Sequence, residues 1–341
     1  MKTDSAYSIL STLRYDPKLA QVASDQYYED DGIQMEFSTP TETLFLDKQD
    51  KGYVASNTEW ENFSEFQKEF DQANFSVTSS STAFFKSLLD CSYSDNLKRG
   101  GLKDLMFYRF LFLRQHVTRI NLARDYFHWN VSTLSISKLL ELLILSLQET
   151  VGDLQQLISD VRPYKMRVLI SASGDIRVEA HPLPILDLSS SSTASEYFIN
   201  TLLKGMLPDD STEPYTAFID TKPIPNNTPF TTFKTTQREH YTQARERMIQ
   251  IESNAQKREI IVYNELDEVM EGSITNIAVY RNGTFVTPPL STGCLCGVFR
   301  YYLLKKNLIN VANISAQELK KGETVLLFNG VMGCVKGIIA K

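Results

Sequence analysis

Apolar residues recur at intervals of three and four positions through residues 102–158, and this repeat is the clearest pattern in the chain. It is strongest in the second half of the stretch, at Leu139, Leu143, Leu147, Val151 and Leu154. Such spacing places apolar side chains on one side of an α-helix, where they can be buried together. The repeat breaks at residues 128–133, so the pattern predicts packed helices separated there.

Alternating apolar and polar positions predict β-strands before and after these helices. Residues 7–15, YSILSTLRY, favour a strand, and residues 166–171 and 176–180 alternate in the same way. The second pair is joined by Ser173-Gly174-Asp175, a combination of turn residues that is typical of a β-hairpin. These three segments predict the sheet of a first domain.

A linker is indicated where two prolines, Pro182 and Pro184, are followed by four serines at 189–192. Beyond it, short strands are expected at 215–220, 260–263, 277–280 and 284–287, and helices at 238–253 and 297–306. Arg281-Asn282-Gly283 predicts a hairpin turn between the last two strands. We therefore predict an α+β fold with an N-terminal α+β domain at 1–185, a linker at 186–195 and a C-terminal mixed α/β domain at 196–341. The acidic region 17–100 is predicted to be a partly ordered insertion.

Composition and charge narrow the class of protein. A chain of 341 residues is longer than one hydrophobic core usually supports, which agrees with two domains. The net charge of -6 argues against a nucleic-acid partner. The most apolar stretch, 139–147, contains Glu141 and Ser146, so no membrane segment is expected, and the N-terminus lacks the apolar core of a signal peptide. We expect a cytoplasmic protein.

The cysteines do not suggest a disulfide framework or a metal site. Cys91, Cys294, Cys296 and Cys334 contain no C-x-x-C pair and are too few to cross-link a chain of this length. Reduced thiols and no bound metal are therefore predicted.

Four short motifs follow one another in the second domain: FKTTQREHY with Lys234, EGSITN at 271–276, TPPL at 287–290 and GVFR at 297–300. A fifth, LRQHVTRINLA, lies upstream and contains His116 and Arg119. Their order and spacing resemble those of the fold-type IV enzymes, the class-IV aminotransferase family, which use pyridoxal 5′-phosphate. The resemblance implies a two-domain fold like that of D-amino acid aminotransferase, with the active site in the interdomain cleft.

The same resemblance implies two residues that act on the cofactor ring. Lys234 is the Schiff-base lysine and later the general base, which requires it to lose its proton. Glu271 lies beside the ring nitrogen, where a carboxylate keeps the pyridinium charged and the ring able to accept electrons. The ordinary alternatives are a solvated lysine and an acid in a surface turn.

The remaining cofactor contacts implied by the family surround the ring and the phosphate. Thr275 and Asn276 line the loop that bears Glu271, and Leu295 packs on one ring face unless it is simply a core residue. The phosphate is expected at the start of a helix, where backbone N–H groups are free, with a bidentate contact from Arg119. The predicted backbone donors are Gly297, Val298 and Phe299. Many relatives have threonine where this chain has Phe299, so no hydroxyl contact is expected there.

Within the family, the chain resembles the fungal aminodeoxychorismate lyases through ILSTLRYDP, YKMRVLIS, GDIRVEA, STGCLCG and LLFNGVMGC. These enzymes form p-aminobenzoate and pyruvate from 4-amino-4-deoxychorismate in folate biosynthesis. The resemblance implies that Thr12 donates a proton or positions a water, and that Arg167 and then Arg14 bind substrate carboxylates. Asn329 and Gly330 match a loop that closes over the site. A β-branched strand residue is the alternative for Thr12, and surface salt bridges are the alternative for both arginines.

Two other functions stay open. One is an aminotransferase for branched-chain or D-amino acids, which would use the same Lys234, Glu271 and Arg119. The other is a non-catalytic scaffold of the same fold. The family implies a homodimer, although the insertion at 17–100 leaves a monomer as the alternative.

Overall fold

The computed structural model describes residues 7–21, 106–185, 194–208, 212–225, 228–251 and 257–340. These residues fall into two units, divided between Thr201 and Leu202. Residues 22–105, most of the predicted insertion, and residues 186–193, most of the predicted linker, lie outside the described part, so both assignments stay predictions.

In its described residues, the first unit contains one sheet and four α-helices of six or more residues. The strands are β1 (Ile9–Tyr15), β2 (Tyr164–Ile170) and β3 (Ile176–Pro182), and the helices are α1 (Leu113–Tyr126), α2 (Ile136–Val151), α3 (Leu154–Ser159) and α4 (Ala194–Leu202), which ends at the division between the units.

The sheet of the first unit is antiparallel, in the order β1-β2-β3. Its register places Thr12 opposite Arg167 and Arg167 opposite Glu179. Gly174, at a φ of 88°, forms the turn between β2 and β3, a conformation that glycine adopts without strain. The predicted first strand and hairpin are confirmed.

The helices of the first unit bury the apolar repeat that the sequence shows. In α2, Leu139, Leu143 and Leu147 are completely buried. The side chain of Ser135 caps the helix by accepting from the Lys138 backbone N–H at 3.1 Å, and Gly152 ends it with a φ of 123°. The break predicted at residues 128–133 is confirmed, because it lies between α1 and α2.

The described part of the second unit contains an eight-stranded mixed sheet and three α-helices. The strands are β4 (Tyr215–Ile219), β5 (Arg258–Tyr263), β6 (Val269–Gly272), β7 (Asn276–Arg281), β8 (Thr284–Thr287), β9 (Asn310–Val311), β10 (Thr324–Asn329) and β11 (Gly333–Ile339). The helices are α5 (Pro229–Thr232), α6 (Glu239–Ile251) and α7 (Val298–Lys305).

The strand order of this sheet is β6-β5-β4-β11-β10-β7-β8-β9. The predicted turn between β7 and β8 is confirmed, because Asn282 and Gly283 both have positive φ and Arg281 pairs with Thr284 across it. In this order β6 and β5 lie at one edge, and β7 is separated from them by β4, β11 and β10. Glu271 on β6 and Asn276 on β7 are therefore linked by the turn at 273–275 and not by strand pairing. No helix in the described ranges is long and apolar enough to cross a membrane.

Candidate active site

Lys234 follows the short helix α5, which holds its backbone in place. Thr228 caps that helix by accepting from the Phe230 backbone N–H at 3.3 Å, with a proline at the first position. Phe233 and Thr235, on either side of Lys234, are buried, whereas Lys234 itself is half-buried. The backbone is thus anchored by its neighbours while the amine can reach a reacting group.

Glu271 on β6 is a buried carboxylate close to the charge of Lys234. Glu271 is 2% exposed, and burial raises the pKa of its carboxyl group to about 7. Four partners oppose that rise: a hydrogen bond from the Tyr241 hydroxyl, the charge of Arg238, the backbone N–H of Leu295 and the charge of Lys234. Glu271 is therefore placed where a further positive partner would stabilise its charged form.

Tyr241 on α6, to which the sequence analysis assigns no role, contacts Glu271 directly. Its hydroxyl donates to Oε1 of Glu271. Burial, and then the negative charge of Glu271, raise the pKa of Tyr241 well above its usual value, so it stays a neutral donor. The Arg238 guanidinium lies 4.2 Å from the centre of the tyrosine ring, an arrangement that favours the cation. The only sequence signal is that both residues belong to the FKTTQREHY run.

Glu259 on β5 organises the turn that follows Glu271. It is fully buried and accepts from the backbone N–H groups of Ser273 and Ile274 at 3.0 and 3.2 Å. The hydroxyls of Ser273 and Thr275 also donate to it, at 2.5 and 2.9 Å. The only sequence feature that points to this role is an acid at the edge of an apolar strand.

Three further side chains hold the same turn. Arg238 donates to the Ser273 carbonyl at 2.6 Å, Arg245 donates to the Ser273 hydroxyl at 2.8 Å, and Asn329 donates to the Ile274 carbonyl at 3.1 Å. We call Glu259, Arg238, Arg245 and Asn329 the turn clamp. Because it satisfies polar groups at 273–275, it fixes the chain between Glu271 and Asn276.

Gly272 is required at the start of this turn. A Cβ atom there would lie 2.3 Å from the Thr275 hydroxyl and 2.8 Å from Cδ of Glu259. Any side chain would push the clamp apart, so the glycine of the EGSITN motif has a steric cause.

Asn276, Leu295 and Gly297 form a second fixed group. Asn276 donates to the Leu295 carbonyl at 2.9 Å, and Leu295 is half-buried. A Cβ atom on Gly297 would lie 1.9 Å from Oδ1 of Asn276, so only glycine allows this approach. Asn276 thereby ties β7 to the residues that precede helix α7.

The start of α7 offers backbone N–H groups to an anion. Gly297 is the residue before the helix, and its N–H donates to the Leu295 carbonyl at 2.8 Å, so this predicted donor already has a partner within the chain. The N–H groups of Val298 and Phe299 lie in the first turn, where a helix offers no acceptor of its own. The Phe299 ring is buried, with its centre 5.7 Å from that of Tyr302 and 6.5 Å from that of Phe328. Its side chain therefore belongs to the core, and only its backbone can bind a ligand at this end.

Asn329 and Gly330 form the turn between β10 and β11. Besides its bond to Ile274, Asn329 accepts from the backbone N–H groups of Val331 and Met332 at 2.9 Å each. Gly330 is buried. The predicted loop is thus connected to the turn that follows Glu271, and its contact with a substrate stays a prediction.

Arg119, in the first unit, is buried on α1 beside β1. It is 4% exposed and donates to the Ser11 hydroxyl at 3.3 Å, and that hydroxyl lies 2.8 Å from Nδ1 of His116. Both members of the H-x-x-R motif therefore meet Ser11. The sequence reasoning singled out the neighbouring Thr12 and missed Ser11, although both are hydroxyl residues of the same strand.

Thr12 and Arg167 lie opposite each other on β1 and β2, and Thr12 is half-buried. Arg167 donates to Glu179 at 3.0 Å, and Glu179 also pairs with Arg177 at 2.8 Å and with His181 at 3.4 Å. The hydrogen bond from Arg167 holds the pKa of Glu179 below its usual value. Arg167 is thus held in an ion pair with Glu179 and lies opposite Thr12 on the neighbouring strand.

Arg14 is in an ion pair as well, but a buried one. It is 6% exposed and lies 2.7 Å from Asp16, which also accepts from the Tyr197 hydroxyl at 2.7 Å. The surface salt bridge considered for Arg14 is therefore replaced by an interior network, and a role in substrate binding stays a prediction.

The two units thus hold different parts of the predicted site. The contacts above join Lys234, Glu271, Thr275, Asn276, Leu295, Gly297 and Asn329 within the second unit. Thr12, Arg14, Arg119 and Arg167 lie in the first unit. No group of His, Cys, Asp and Glu in the described ranges is arranged to hold a metal ion.

Comparison with known proteins gives matches along most of the chain. The profile of the family described as Amino-transferase class IV matches residues 105–337. The chain is 35% identical to the Aminodeoxychorismate lyase of Saccharomyces cerevisiae, over 98% of this chain and 92% of that protein. Among solved structures, a "Putative amino-acid aminotransferase" from Mesorhizobium loti superposes with a TM-score of 0.50 at 20% identity, covering 67% of this chain and 92% of that one. This last likeness concerns the fold alone.

Proposed function

Since the chain belongs to the class IV amino-transferase family, we propose that it is an aminodeoxychorismate lyase. It converts 4-amino-4-deoxychorismate to p-aminobenzoate and pyruvate. The observation that carries this conclusion is the 35% identity to the yeast lyase, which extends over 98% of the chain and thus over both units. The contacts around Lys234 and Glu271 supply the chemistry that such an enzyme needs.

The residues of the second unit fit pyridoxal 5′-phosphate. Glu271 is 2% exposed and burial raises its pKa to about 7, so its charged form is favoured by a cation at its side. The protonated ring nitrogen of the cofactor is such a cation, and the amides at the start of α7 suit its phosphate. When bound, the cofactor supplies an electron sink for charge that develops on a substrate carbon next to an amine.

Lys234 is the residue that would hold the cofactor covalently. Its half-buried amine, on a backbone fixed by Phe233 and Thr235, also serves as the general base. In the lyase reaction Lys234 takes the proton from C4 of the substrate. The bond from C3 to the enolpyruvyl oxygen then breaks, which makes the ring aromatic and releases enolpyruvate.

Tyr241 and Arg238 control the charge on Glu271. The hydroxyl of Tyr241 favours the ionised carboxylate by hydrogen bonding to it, and Arg238 favours it through its positive charge. Glu271 is thereby ready to keep a ring nitrogen protonated. The turn clamp keeps the carboxylate and Asn276 in a fixed relation, which preorganises the site before any ligand binds.

The phosphate would lie against the start of α7, at the backbone N–H groups of Val298 and Phe299, and at that of Gly297 once it exchanges its bond to the Leu295 carbonyl for one to the phosphate. Gly297 allows the close approach of Asn276 that sets the start of this helix. We assign Arg119 to the same phosphate, on the resemblance of its motif, and Leu295 to one face of the ring. Thr275, held by Glu259, lines the loop between them.

The substrate carries two carboxylates, which need cations in a protein of net charge -6. We assign Arg167 as the first ligand and Arg14 as the second, with Thr12 as the proton donor to enolpyruvate or the residue that positions a water. Arg167 is 34% exposed in its ion pair with Glu179, so its guanidinium can reach a second anion. Asn329 and Gly330 are assigned to the loop that covers the substrate.

The cysteines of the chain support a cytoplasmic setting. Cys294, Cys296 and Cys334 are buried and form no disulfide, which suits a reducing compartment, and we place the enzyme in the cytoplasm. We expect a homodimer from the family resemblance, with a monomer as the alternative. Sedimentation velocity separates these two states.

The test is to add enzymatically generated 4-amino-4-deoxychorismate to the purified protein loaded with pyridoxal phosphate. Formation of p-aminobenzoate and pyruvate in equal amounts is the expected result. An aminotransferase would instead convert the cofactor to pyridoxamine phosphate when given an amino acid alone. That conversion without p-aminobenzoate formation would overturn the proposal.

A further inference from the structure

A cavity of about 420 Å³ is lined entirely by residues of the first unit, none of which is assigned to catalysis. Its walls are the second half of α1, the loop at residues 130–134, the start of α2 and the turn between β2 and β3. Cavities of roughly 300 to 1,000 Å³ are typical of sites for small molecules. We propose that this cavity is a second binding site, for a small organic anion with an apolar body.

The inner wall of the cavity is apolar. It is formed by Ile9, Ile120, Ile170 and Ile176 together with Leu134. Four of these residues are buried, and Ile176 is half-buried. A hydrocarbon or aromatic body is therefore the part of a ligand that gains from lying against this wall.

The rim of the cavity is cationic. Arg124 from α1 and Lys138 from the first turn of α2 line it, and no aspartate or glutamate is among the lining residues. Nη1 of Arg124 is buried without a hydrogen-bond partner in the described part of the chain. A buried donor of this kind is costly unless it is bound, and a carboxylate oxygen is the acceptor that suits it.

The nearby acids do not occupy the cavity. Asp125 accepts from Nε of Arg124 at 2.8 Å and Glu141 lies 3.3 Å from Lys138, but their side chains are 48% and 60% exposed. Asp175, in the hairpin turn, accepts from the Ser173 hydroxyl at 2.5 Å. The Lys138–Glu141 pair is exposed on both sides and contributes little to stability, so an arriving anion displaces or shares it at small cost. Asp125 binds Nε and Nη2 of Arg124, which leaves Nη1 for the anion.

The polar wall is fixed before any ligand arrives. Asn121 donates to the Leu134 carbonyl and accepts from the Leu134 backbone N–H, each at 2.9 Å. On the opposite side, a Cβ atom on Gly174 would lie 3.2 Å from Cγ1 of Val131, so the hairpin turn packs directly on the 130–134 loop. The site is thus held by long-range contacts on two sides, which lowers the ordering cost of binding.

The experiment titrates the holoenzyme, labelled at the isoleucine δ1-methyl groups, with benzoate and separately with its uncharged analogue benzamide. We expect benzoate to move the methyl resonances of Ile9, Ile120, Ile170 and Ile176 with a Kd no weaker than about 1 mM. Benzamide should bind at least about tenfold more weakly, because it lacks the charge that strengthens the hydrogen bonds. Resonances of isoleucines in the second unit report separately on any binding near Lys234.

Variants assign the charge recognition to named residues. Arg124→Met and Lys138→Met should each weaken benzoate binding about tenfold, by the loss of a charge-assisted bond. Arg177→Met is the matched control, since it removes a 76% exposed cation of the same unit that does not line the cavity, and it should leave the affinity unchanged.

A cavity-filling variant keeps the test decisive if Arg124→Met fails to fold. Ser132→Trp substitutes an exposed residue of the lining loop, keeps both cations and should abolish the methyl shifts. Three results would overturn the proposal: no movement of the four methyl resonances, equal affinity for benzamide, or undiminished binding to Ser132→Trp.

Discussion

The hydroxyl of Tyr241 donates a hydrogen bond to the carboxylate of Glu271. Both residues are buried, one on helix α6 and the other on strand β6. A buried carboxylate tends to take up a proton, and the tyrosine together with the charges of Arg238 and Lys234 opposes that tendency. The protonation state of Glu271 therefore depends on burial against these three partners, and it determines how readily the carboxylate can bind a cationic ring.

Lys234→Ala should abolish p-aminobenzoate formation and the visible absorbance of the bound cofactor, because the covalent anchor and the base are lost together. Absorbance spectra and a product assay measure the two effects. Lys222→Ala, which changes an exposed lysine of the same unit, is the control and should behave as wild type. Normal turnover by Lys234→Ala would remove it from the mechanism.

The stability of the cofactor-free protein should carry a pH signature of Glu271. Burial raises its pKa from 4.5 to about 7. Between these pH values the folded state keeps a proton that the unfolded chain releases, so the contribution of Glu271 to the free energy of unfolding falls as the pH rises. We expect that fall to be about 3 kcal/mol.

Glu271→Gln isolates this effect, because glutamine does not titrate. His240, whose pKa burial lowers to about 4, changes stability in the opposite direction between pH 4 and 6.5, but it is present in both proteins. Urea unfolding at a series of pH values gives the wild-type minus variant difference, which should decline from pH 5 to 8. A difference that is independent of pH would contradict the buried titration.

Tyr241→Phe should raise the pKa of Glu271 further, since it removes a hydrogen bond to the charged form. The contribution of Glu271 to the free energy of unfolding should then continue to fall at higher pH than in the wild type. In the holoenzyme, kcat/KM for 4-amino-4-deoxychorismate should fall about tenfold or more, the loss of one hydrogen bond to a charged group. Tyr280→Phe, at a residue that is 54% exposed, is the control. Equal kcat/KM in both variants would rule out a role for the tyrosine.

Glu259→Gln should weaken cofactor binding although Glu259 lies outside the set of cofactor ligands. The amide can accept at one oxygen only, so at least one N–H or O–H donor of the 273–275 turn loses its partner, at about 1 to 3 kcal/mol. Cofactor titration and thermal unfolding are measured together. Ile261→Val, in the same strand, destabilises the core without removing a hydrogen-bond partner of the turn and should leave cofactor affinity unchanged. If the two variants lose affinity alike, the turn clamp has no specific function.

Arg167→Met should leave the cofactor spectrum intact and lower kcat/KM for the substrate by about 10- to 100-fold, the loss of one or two charge-assisted bonds. Arg177→Met is a close control, because it removes the other arginine that pairs with Glu179 and so separates substrate binding from the loss of an ion pair. The same small effect in both variants would place Arg167 in the ion pair alone.

The sequence by itself determined the local elements of this protein. The helical repeat at Leu139, Leu143 and Leu147 and the Asn282-Gly283 turn are specified within a few residues of chain, because periodic burial and positive φ are local requirements. The motifs around Lys234 and Glu271 likewise identified the family, since order and spacing along the chain are sequence properties. These features could be predicted without coordinates.

Only the tertiary structure decided which side chains meet across the sheet and the helices. Glu259 reaches Ser273, Arg119 reaches Ser11 and Arg167 reaches Glu179 through strand register and helix packing. None of these pairs is close in sequence, and each depends on how separate elements are brought together. A buried acid such as Glu259 is stable only because the folded chain brings hydrogen-bond donors to it. Those donors are distant in sequence, so no local pattern predicts its role.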